Sequence, residues 1–322
     1  MKAIVLKEHG GSDGLALETR EGLKPGAGEI VVANVFAGLN FIDIYQRRGL
    51  YPVALPAVLG GEGAGVVKSV GADVTGLRQG DRVAWYGGGG GYAEETLVPA
   101  GMAAKIPGGV PDETAAATFL KGLTAEMLAR QVYPLKKGDT ALIHAAAGGV
   151  GTLLVQWAKH LGAEVIAVVG SKAKEATARG AGADHVIVRD ETGDIAGAAR
   201  DLTGGKGVDV VYDSVGAATY AASLDALALR GMFVSYGNAS GPVPAFAPLE
   251  LARRGSLFLT RPTLFHYATP DRLQAMAADL FAMLEKGALK PASPTVFPLE
   301  KAGEAQALLE TGTTTGSIVL RV

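Results

Sequence analysis

The chain has 322 residues, 48% of them hydrophobic, with 30 Lys and Arg against 32 Asp and Glu, a formal charge of -2 and a pI near 6.2. That length exceeds what one core usually supports, so two domains are expected, and the basic residues are scattered rather than gathered, which argues against nucleic acid or a membrane surface as partner. There is no cysteine, which excludes disulfides, thiolate nucleophiles and cysteine-ligated metals together; the apolar run after Met1 is too short for a signal peptide and no window is long enough to span a membrane, so a soluble cytoplasmic protein is expected.

Residues 1–105 are rich in Gly, Val and turn signals and poor in helical periods. The runs 30–37, 81–85 and 95–98 read as strands, and 87–91 is a connector of five glycines. The stretch Gly60-Gly61-Glu62-Gly63-Ala64-Gly65 imitates a phosphate-binding loop. Such a loop must follow a strand and open a helix, whose N-terminal N–H groups hold the anion. Here 65–71 is β-branched and bounded by glycine, so it reads as a strand, and the glycines are architecture.

From about residue 120 short apolar runs alternate with helical patterns. Strand-like runs fall at 140–145, 164–169, 185–188, 208–212, 232–236 and 257–260. Between the first two, Val150, Leu153, Leu154, Trp157, Ala158 and Leu161 form one helical stripe. Six strands alternating with helices describe an α/β fold with a doubly wound six-stranded parallel sheet. Residues 271–286 and 299–310 read as helices and 317–320 as a last strand, expected to pack back on the first domain.

His144-Ala145-Ala146-Ala147-Gly148-Gly149-Val150-Gly151 joins the first strand of this sheet to its first helix. Ala146, Gly148 and Gly151 stand at the three positions of a degenerate dinucleotide fingerprint. A tight glycine turn is the plain alternative, but the six-unit context favours nucleotide binding. An NAD site places an acid about 20 residues on, to take the ribose 2′-hydroxyl. The second strand instead ends Val169-Gly170-Ser171-Lys172-Ala173-Lys174, with no acid. A 2′-phosphate would be held by Ser171 and Lys174, with Lys172 or Arg189 as further cations, which points to NADPH. The alternative, lysines on a solvated helix start, puts cations at an N-terminus with no anion to meet. Ser214 and Tyr236-Gly237-Asn238 lie at strand ends, where such sheets bind ligands, while His144 reads as a satisfied strand residue.

These residues together resemble the zinc-free quinone oxidoreductase, or ζ-crystallin-like, branch of the medium-chain dehydrogenase/reductase superfamily. The resemblance spans nearly the whole chain. It rests on Gly38-Leu39-Asn40-Phe41-Ile42-Asp43-Ile44-Tyr45, Gly60 to Gly65 with Gly71, Gly80-Asp81-Arg82-Val83, Phe119-Leu120-Lys121-Gly122-Leu123-Thr124, His144 to Gly151, and Tyr212-Asp213-Ser214-Val215-Gly216. It implies a GroES-like, mostly β catalytic domain from 1–122 and 262–322 around a Rossmann NADPH-binding domain at 123–261. In the zinc-bearing members a histidine ligand stands where this chain has Gly61, and a cysteine ligand falls in the region of Asn40. No metal is therefore expected, and Glu62 is read as structural, capping or salt-bridged.

The resemblance also implies that Phe41, Ile42 and Tyr45 line the nicotinamide side of the cleft, with Tyr45 and Asn40 facing the acceptor oxygen as the catalytic candidates. Capping of a short helix by Asn40 and Asp43, and a core role for Tyr45, are the alternatives. Thr124 would contact the nicotinamide, Gly148, Gly149 and Val150 the pyrophosphate, Gly170, Ser171 and Lys174 the 2′-phosphate end, and Arg189 the adenine. Pro262, Thr263 and Leu264 would approach the carboxamide. Tyr51, Trp85, Tyr86 and Phe265 are possible pocket walls and equally possible core residues.

Without zinc, which lowers the pKa of a bound oxygen from about 16 to about 7, oxidation of an alcohol loses its main help. A quinone needs less, because the arriving hydride makes a delocalised hydroquinone anion. NADPH-dependent quinone reduction is the expected function. Reduction of an enone double bond is the alternative within the fold, and an NADPH-binding structural or RNA-associated protein is the alternative outside enzymology. A homodimer is expected by resemblance, through edge pairing in the 232–260 region.

Overall fold

The computed structural model describes residues 1–87 and 89–322; Gly88, in the five-glycine connector, lies outside the described residues. Contacts divide the chain into two units. One comprises residues 1–123, 268–287 and 291–322, the other 124–267 and 288–290.

The first unit begins with β1 (Lys2–Leu6), β2 (Leu15–Thr19), β3 (Glu29–Leu39), β4 (Ala57–Val58), β5 (Glu62–Val70), β6 (Arg82–Tyr86), β7 (Glu95–Pro99) and β8 (Ala103–Lys105). β1 sits between β2 and β4 in a small antiparallel sheet. The long β3 carries the β-branched run Ile30-Val31-Val32, fully buried, and pairs antiparallel with both β5 and β7. The glycine-rich stretch thus runs straight into β5, from Glu62, and no helix follows it. Asn34 secures this core from inside: its side-chain amide donates to Ala93 O at 2.8 Å and Thr96 Oγ1 at 2.7 Å, and its oxygen accepts the Trp85 indole N–H at 3.1 Å.

Two helices interrupt the strands. α1 (Phe41–Arg47) follows β3 directly, with Asn40 as its N-cap. α2 (Asp112–Glu126) continues as a π-helical turn over Met127–Val132. The sequence reading has no helix here, although its motif Phe119 to Thr124 lies on it. Ala115, Ala116, Ala117, Phe119 and Leu123 are all buried, so the helix shows no polar face from which a 3.6-residue period could be read.

The second unit alternates β9 (Thr140–His144), α3 (Gly149–His160), β10 (Glu164–Val169), α4 (Glu175–Gly180), β11 (His185–Val188), α5 (Ile195–Leu202), β12 (Val208–Asp213), α6 (Tyr220–Ala226), β13 (Leu227–Ser235), α7 (Leu249–Arg253) and β14 (Phe258–Thr260). All six strands are parallel, in the order β11-β10-β9-β12-β13-β14. This is the doubly wound order with its switch point between β9 and β12, where such sheets bind ligands. β13 starts earlier than the apolar run suggests, with an irregular register between Val208 and Val210 of its partner.

α8 (Pro270–Glu285), β15 (Thr295–Pro298), α9 (Ala302–Glu310) and β16 (Ile318–Arg321) complete the chain. β16 pairs antiparallel with β3 and parallel with β15, so the C-terminal strands extend the first unit's sheet to β15-β16-β3-β5-β6-β8. The chain returns to that unit after Tyr267, later than the 261/262 boundary read from sequence, and Pro262, Thr263 and Leu264 fold with the second unit. Among the described residues no helix is long and apolar enough to cross a membrane.

Candidate active site

The candidate residues fall on both units, and each unit builds its share from its own elements. In the second, β9 ends at His144 and the chain turns through Ala145, at φ +49°, before α3 opens at Gly149 with Gly148 as N-cap. Gly148 N–H donates back to Ala145 O at 2.9 Å, which tightens the turn. A glycine is required at Gly151: a Cβ there would meet Ala146 Cα at 2.8 Å and the Ala145 carbonyl, so helix and strand could not approach. No side chain caps the first turn of α3, which leaves its N–H groups available to an anion at the sheet's carboxyl end.

Ser214 and the segment after β13 come together at the neighbouring strand ends. Ala239 N–H donates to Ser214 O, and Ser240 donates to Val215 O through both its backbone N–H and its hydroxyl, each at 2.8 Å. Gly237 packs on Ser214, where a Cβ would meet Ser214 Cα at 2.8 Å. Beneath them the buried Asp213 carboxylate organises the turn. Its Oδ1 accepts Val215 N–H at 2.7 Å and Gly216 N–H at 3.0 Å, and its Oδ2 accepts the hydroxyls of Thr219 at 2.7 Å and Ser223 at 2.8 Å. Ser223 Oγ lies 2.9 Å from His144 Nε2. Since the Ser223 proton goes to Asp213, the imidazole donates to that oxygen. His144 is thus a satisfied strand residue, held neutral because burial pushes its pKa down.

At the end of β10, Gly170 and Ser171 lead into a single 3-10 turn over Lys172–Lys174. Lys172 pairs with Glu175 at 2.6 Å and lies 3.8 Å from Glu191. Lys174 differs: its ammonium is half-buried and its pKa is lowered, first by that burial and then by the like charge of Arg189. Arg189, just past the end of the strand next to β10, lays its guanidinium over Gly170, 3.5 Å from where a Cβ would stand, and also lies 3.5 Å from the Asp190 carboxylate. Two cations brought close together at a strand end both favour a bound anion. Pro262, Thr263 and Leu264 follow β14 at the same carboxyl end of the sheet, and Thr124 is half-buried in the last turn of α2.

In the first unit Phe41, Ile42 and Tyr45 share α1, whose first turn is fixed by a capping box of Asn40 and Asp43, with Asn40 N–H donating to Asp43 Oδ2 at 2.9 Å. Tyr45 packs between Phe41 and Tyr51, ring centroids 6.0 and 5.2 Å away. Asn40 is nearly buried, and its side-chain amide donates to Glu62 Oε2 at 2.9 Å. Of the possible pocket walls, Trp85 and Tyr86 are wholly buried, Tyr86 donating to the Ala268 carbonyl, and Phe265 is exposed.

Sequence reasoning missed the partner of Glu62. The carboxylate is fully buried and forms an ion pair with Lys121 at 2.8 Å, itself nearly buried in α2. The signal was a single lysine in the apolar run of α2, since a buried ammonium requires a counter-charge. These residues do not fit a catalytic zinc: Gly61 has no donor side chain, Asn40 is spent on Glu62, and an ammonium already occupies the carboxylate. Among the described residues no group of three or more His, Asp or Glu is arranged to hold a metal ion.

The sequence matches two family descriptions, Alcohol dehydrogenase GroES-like domain over residues 26–108 and Zinc-binding dehydrogenase over residues 149–285. It is 46% identical to the quinone oxidoreductase of Pseudomonas aeruginosa, over 99% of each chain. It is 42% identical to the 2-haloacrylate reductase of a Burkholderia species, over 99% of this chain and 98% of that one. The crystal structure of Escherichia coli quinone oxidoreductase complexed with NADPH superposes with a TM-score of 0.98 at 41% identity, covering all of both chains. With full-length relatives at this identity, and with Gly61 and the Glu62–Lys121 pair where other members hold their metal, the chain belongs to the zinc-free quinone oxidoreductase branch of the medium-chain dehydrogenase/reductase superfamily.

Proposed function

We propose that this protein is an NADPH-dependent oxidoreductase that reduces quinones without a metal, in the cytoplasm. The observation that carries the cofactor choice is that the cations Lys174 and Arg189 stand close together beside Gly170 and Ser171, with no acid in residues 167–174 to repel a 2′-phosphate. The first-turn N–H groups of α3, at Gly149 and Val150, would hold the pyrophosphate, and Ser214, Tyr236, Gly237, Asn238, Pro262, Thr263, Leu264 and Thr124 would complete the cofactor site. When bound, NADPH supplies a hydride. The chain's task is to orient the acceptor, exclude water and meet the charge that develops on the acceptor oxygen. Phe41, Ile42 and Tyr45 present the apolar and aromatic surface for that, and the Tyr45 hydroxyl is the candidate donor to the oxygen. Asn40, committed to the capping box and to Glu62, orients α1.

The full-length likeness to 2-haloacrylate reductase supports a second reading, hydride addition to an activated carbon–carbon double bond, which asks for the same geometry. Turnover of NADPH with 1,4-benzoquinone, set against 2-chloroacrylate and a simple enone, separates the two. Tyr45→Phe is expected to lower kcat about 10²-fold with the preferred acceptor; unchanged turnover and acceptor affinity would remove Tyr45 from the chemistry.

The same reading includes a homodimer formed on the β13–β14 edge, where Leu229 is 76%, Phe258 52% and Leu259 41% exposed. An apolar edge strand of this kind is normally covered. A concentration-independent monomer in solution would contradict it.

A further inference from the structure

Glu62 is the point at which three segments of the first unit meet. Its Oε1 accepts the backbone N–H of Leu120 at 2.7 Å, while Oε2 accepts Asn40 Nδ2 at 2.9 Å and Lys121 Nζ at 2.8 Å. Leu120 lies inside α2, where a backbone N–H ordinarily serves the carbonyl four residues back, that of Ala116. The carboxylate reaches into that ladder. It can do so because position 38 is glycine: a Cβ on Gly38 would meet Ala116 O at 2.6 Å and collide with the Glu62 carboxylate. Three residue choices from distant parts of the chain, Gly38, Glu62 and Lys121, are therefore mutually dependent.

Stability alone does not account for this arrangement. A buried ion pair tends to break even, or lose, against apolar residues of the same volume. What a carboxylate offers that no apolar or amide side chain can is acceptance on both oxygens at once. One oxygen takes the α2 backbone at Leu120, and the other takes the N-cap of α1 together with the Lys121 ammonium. We propose that Glu62 is a positioning residue for hydride transfer, locking the N-cap of α1, which carries Phe41, Ile42 and Tyr45, to the stretch of α2 that leads into Thr124. The proposal rests on the reading of those residues as acceptor and nicotinamide contacts.

The test exploits the one-acceptor limit of an amide. Glu62→Gln is isosteric, but its single oxygen can serve either Leu120 N–H or the Asn40 amide; combining it with Lys121→Met removes the orphaned ammonium and keeps the variant foldable. The double variant is expected to melt within a few degrees of the parent and to bind NADPH with affinity changed less than about threefold, while kcat with 1,4-benzoquinone falls about 10²-fold at similar KM, as for a misplacement of about 1 Å. Amide exchange, followed in the full-length protein, should accelerate at least about tenfold at Leu120 or at residues 40–43, whichever tie the amide surrenders. A double variant with kcat within about threefold of the parent would overturn the proposal, as would exchange unchanged at both places. If the parent itself turns over no acceptor, the quinone reading fails, and the exchange comparison alone still decides whether Glu62 ties the two helices.

Discussion

Asp43 offers the sharpest quantitative check on the first unit. Its carboxyl group is fully buried, one oxygen is engaged by Asn40 N–H and by the Tyr92 hydroxyl at 2.8 Å, and the other, Oδ1, has no partner among the described residues. Burial is the largest influence and pushes its pKa from 3.8 up to about 6, against the opposing hydrogen bonds from Asn40 and Tyr92 and the charge of Lys121. A folded-state pKa above the unfolded one means that the protonated acid favours the fold: the contribution is fully present below about pH 3.8 and is lost as the pH rises through about 6. Two pKa units correspond to about 3 kcal/mol. Asp43→Asn keeps the shape, retains an acceptor for Asn40 and Tyr92, and cannot ionise. Denaturant unfolding of the parent and the variant, at steps from about pH 3 to pH 8, should therefore give a difference that moves by about 3 kcal/mol in the variant's favour, most of it between about pH 4 and pH 6 with a midpoint near pH 5, and levels off above about pH 6. In thermal melts this corresponds to about 6–12 °C for a domain of this size. A difference that stays flat with pH, or that moves in the parent's favour on raising the pH, would show that burial does not raise the Asp43 pKa in the folded protein.

Two further outcomes follow from the second unit. Lys174→Met should weaken NADPH binding by about 10–100-fold, the worth of one charge-assisted contact, and leave NADH binding unchanged, as read by quenching of cofactor fluorescence; equal losses for both cofactors would place Lys174 away from the 2′-phosphate. Ser223→Ala removes one donor from the buried Asp213 and the acceptor of His144 Nε2, so it should cost about 1–3 kcal/mol in denaturant unfolding. Because Asp213 sets the turn that carries Ser214, NADPH affinity should fall with it.

Much of this was legible in the sequence because the informative patterns are local. The β-branched runs at β9 to β12 announce buried parallel strands, and a glycine turn between the first strand and an amphipathic helix needs no distant information to be read as a nucleotide loop. The missing acid after β10 is equally local. What could not be read depends on partners far apart in the chain or on elements without a polar face. α2 is covered on nearly every side, with Thr118, Lys121 and Glu126 buried among its apolar residues, so neither its existence nor its π-helical end shows in the periodicity. The Tyr212 hydroxyl, donating towards the carbonyls of Leu128 at 3.2 Å and Tyr133 at 3.3 Å, supports that irregular end from β12, a link that no spacing rule predicts. Asn40 and Asp43 could be read as cap or as chemistry from sequence, and the capping box with Asn40's bond to Glu62 shows where their hydrogen bonds go. Glu62 itself was placed as structural, but its partner Lys121 stands 59 residues away.

In the proposed reading, Ser171, Lys174 and Arg189 select NADPH for a hydride transfer that needs no metal. The most direct measurement is the oxidation of NADPH and of NADH by purified protein with 1,4-benzoquinone as acceptor, with and without a strong chelator. Rapid oxidation of NADPH, a kcat/KM at least about 100-fold lower for NADH, and no effect of the chelator are expected. A preference for NADH, or activity lost to the chelator and restored by zinc, would contradict that reading.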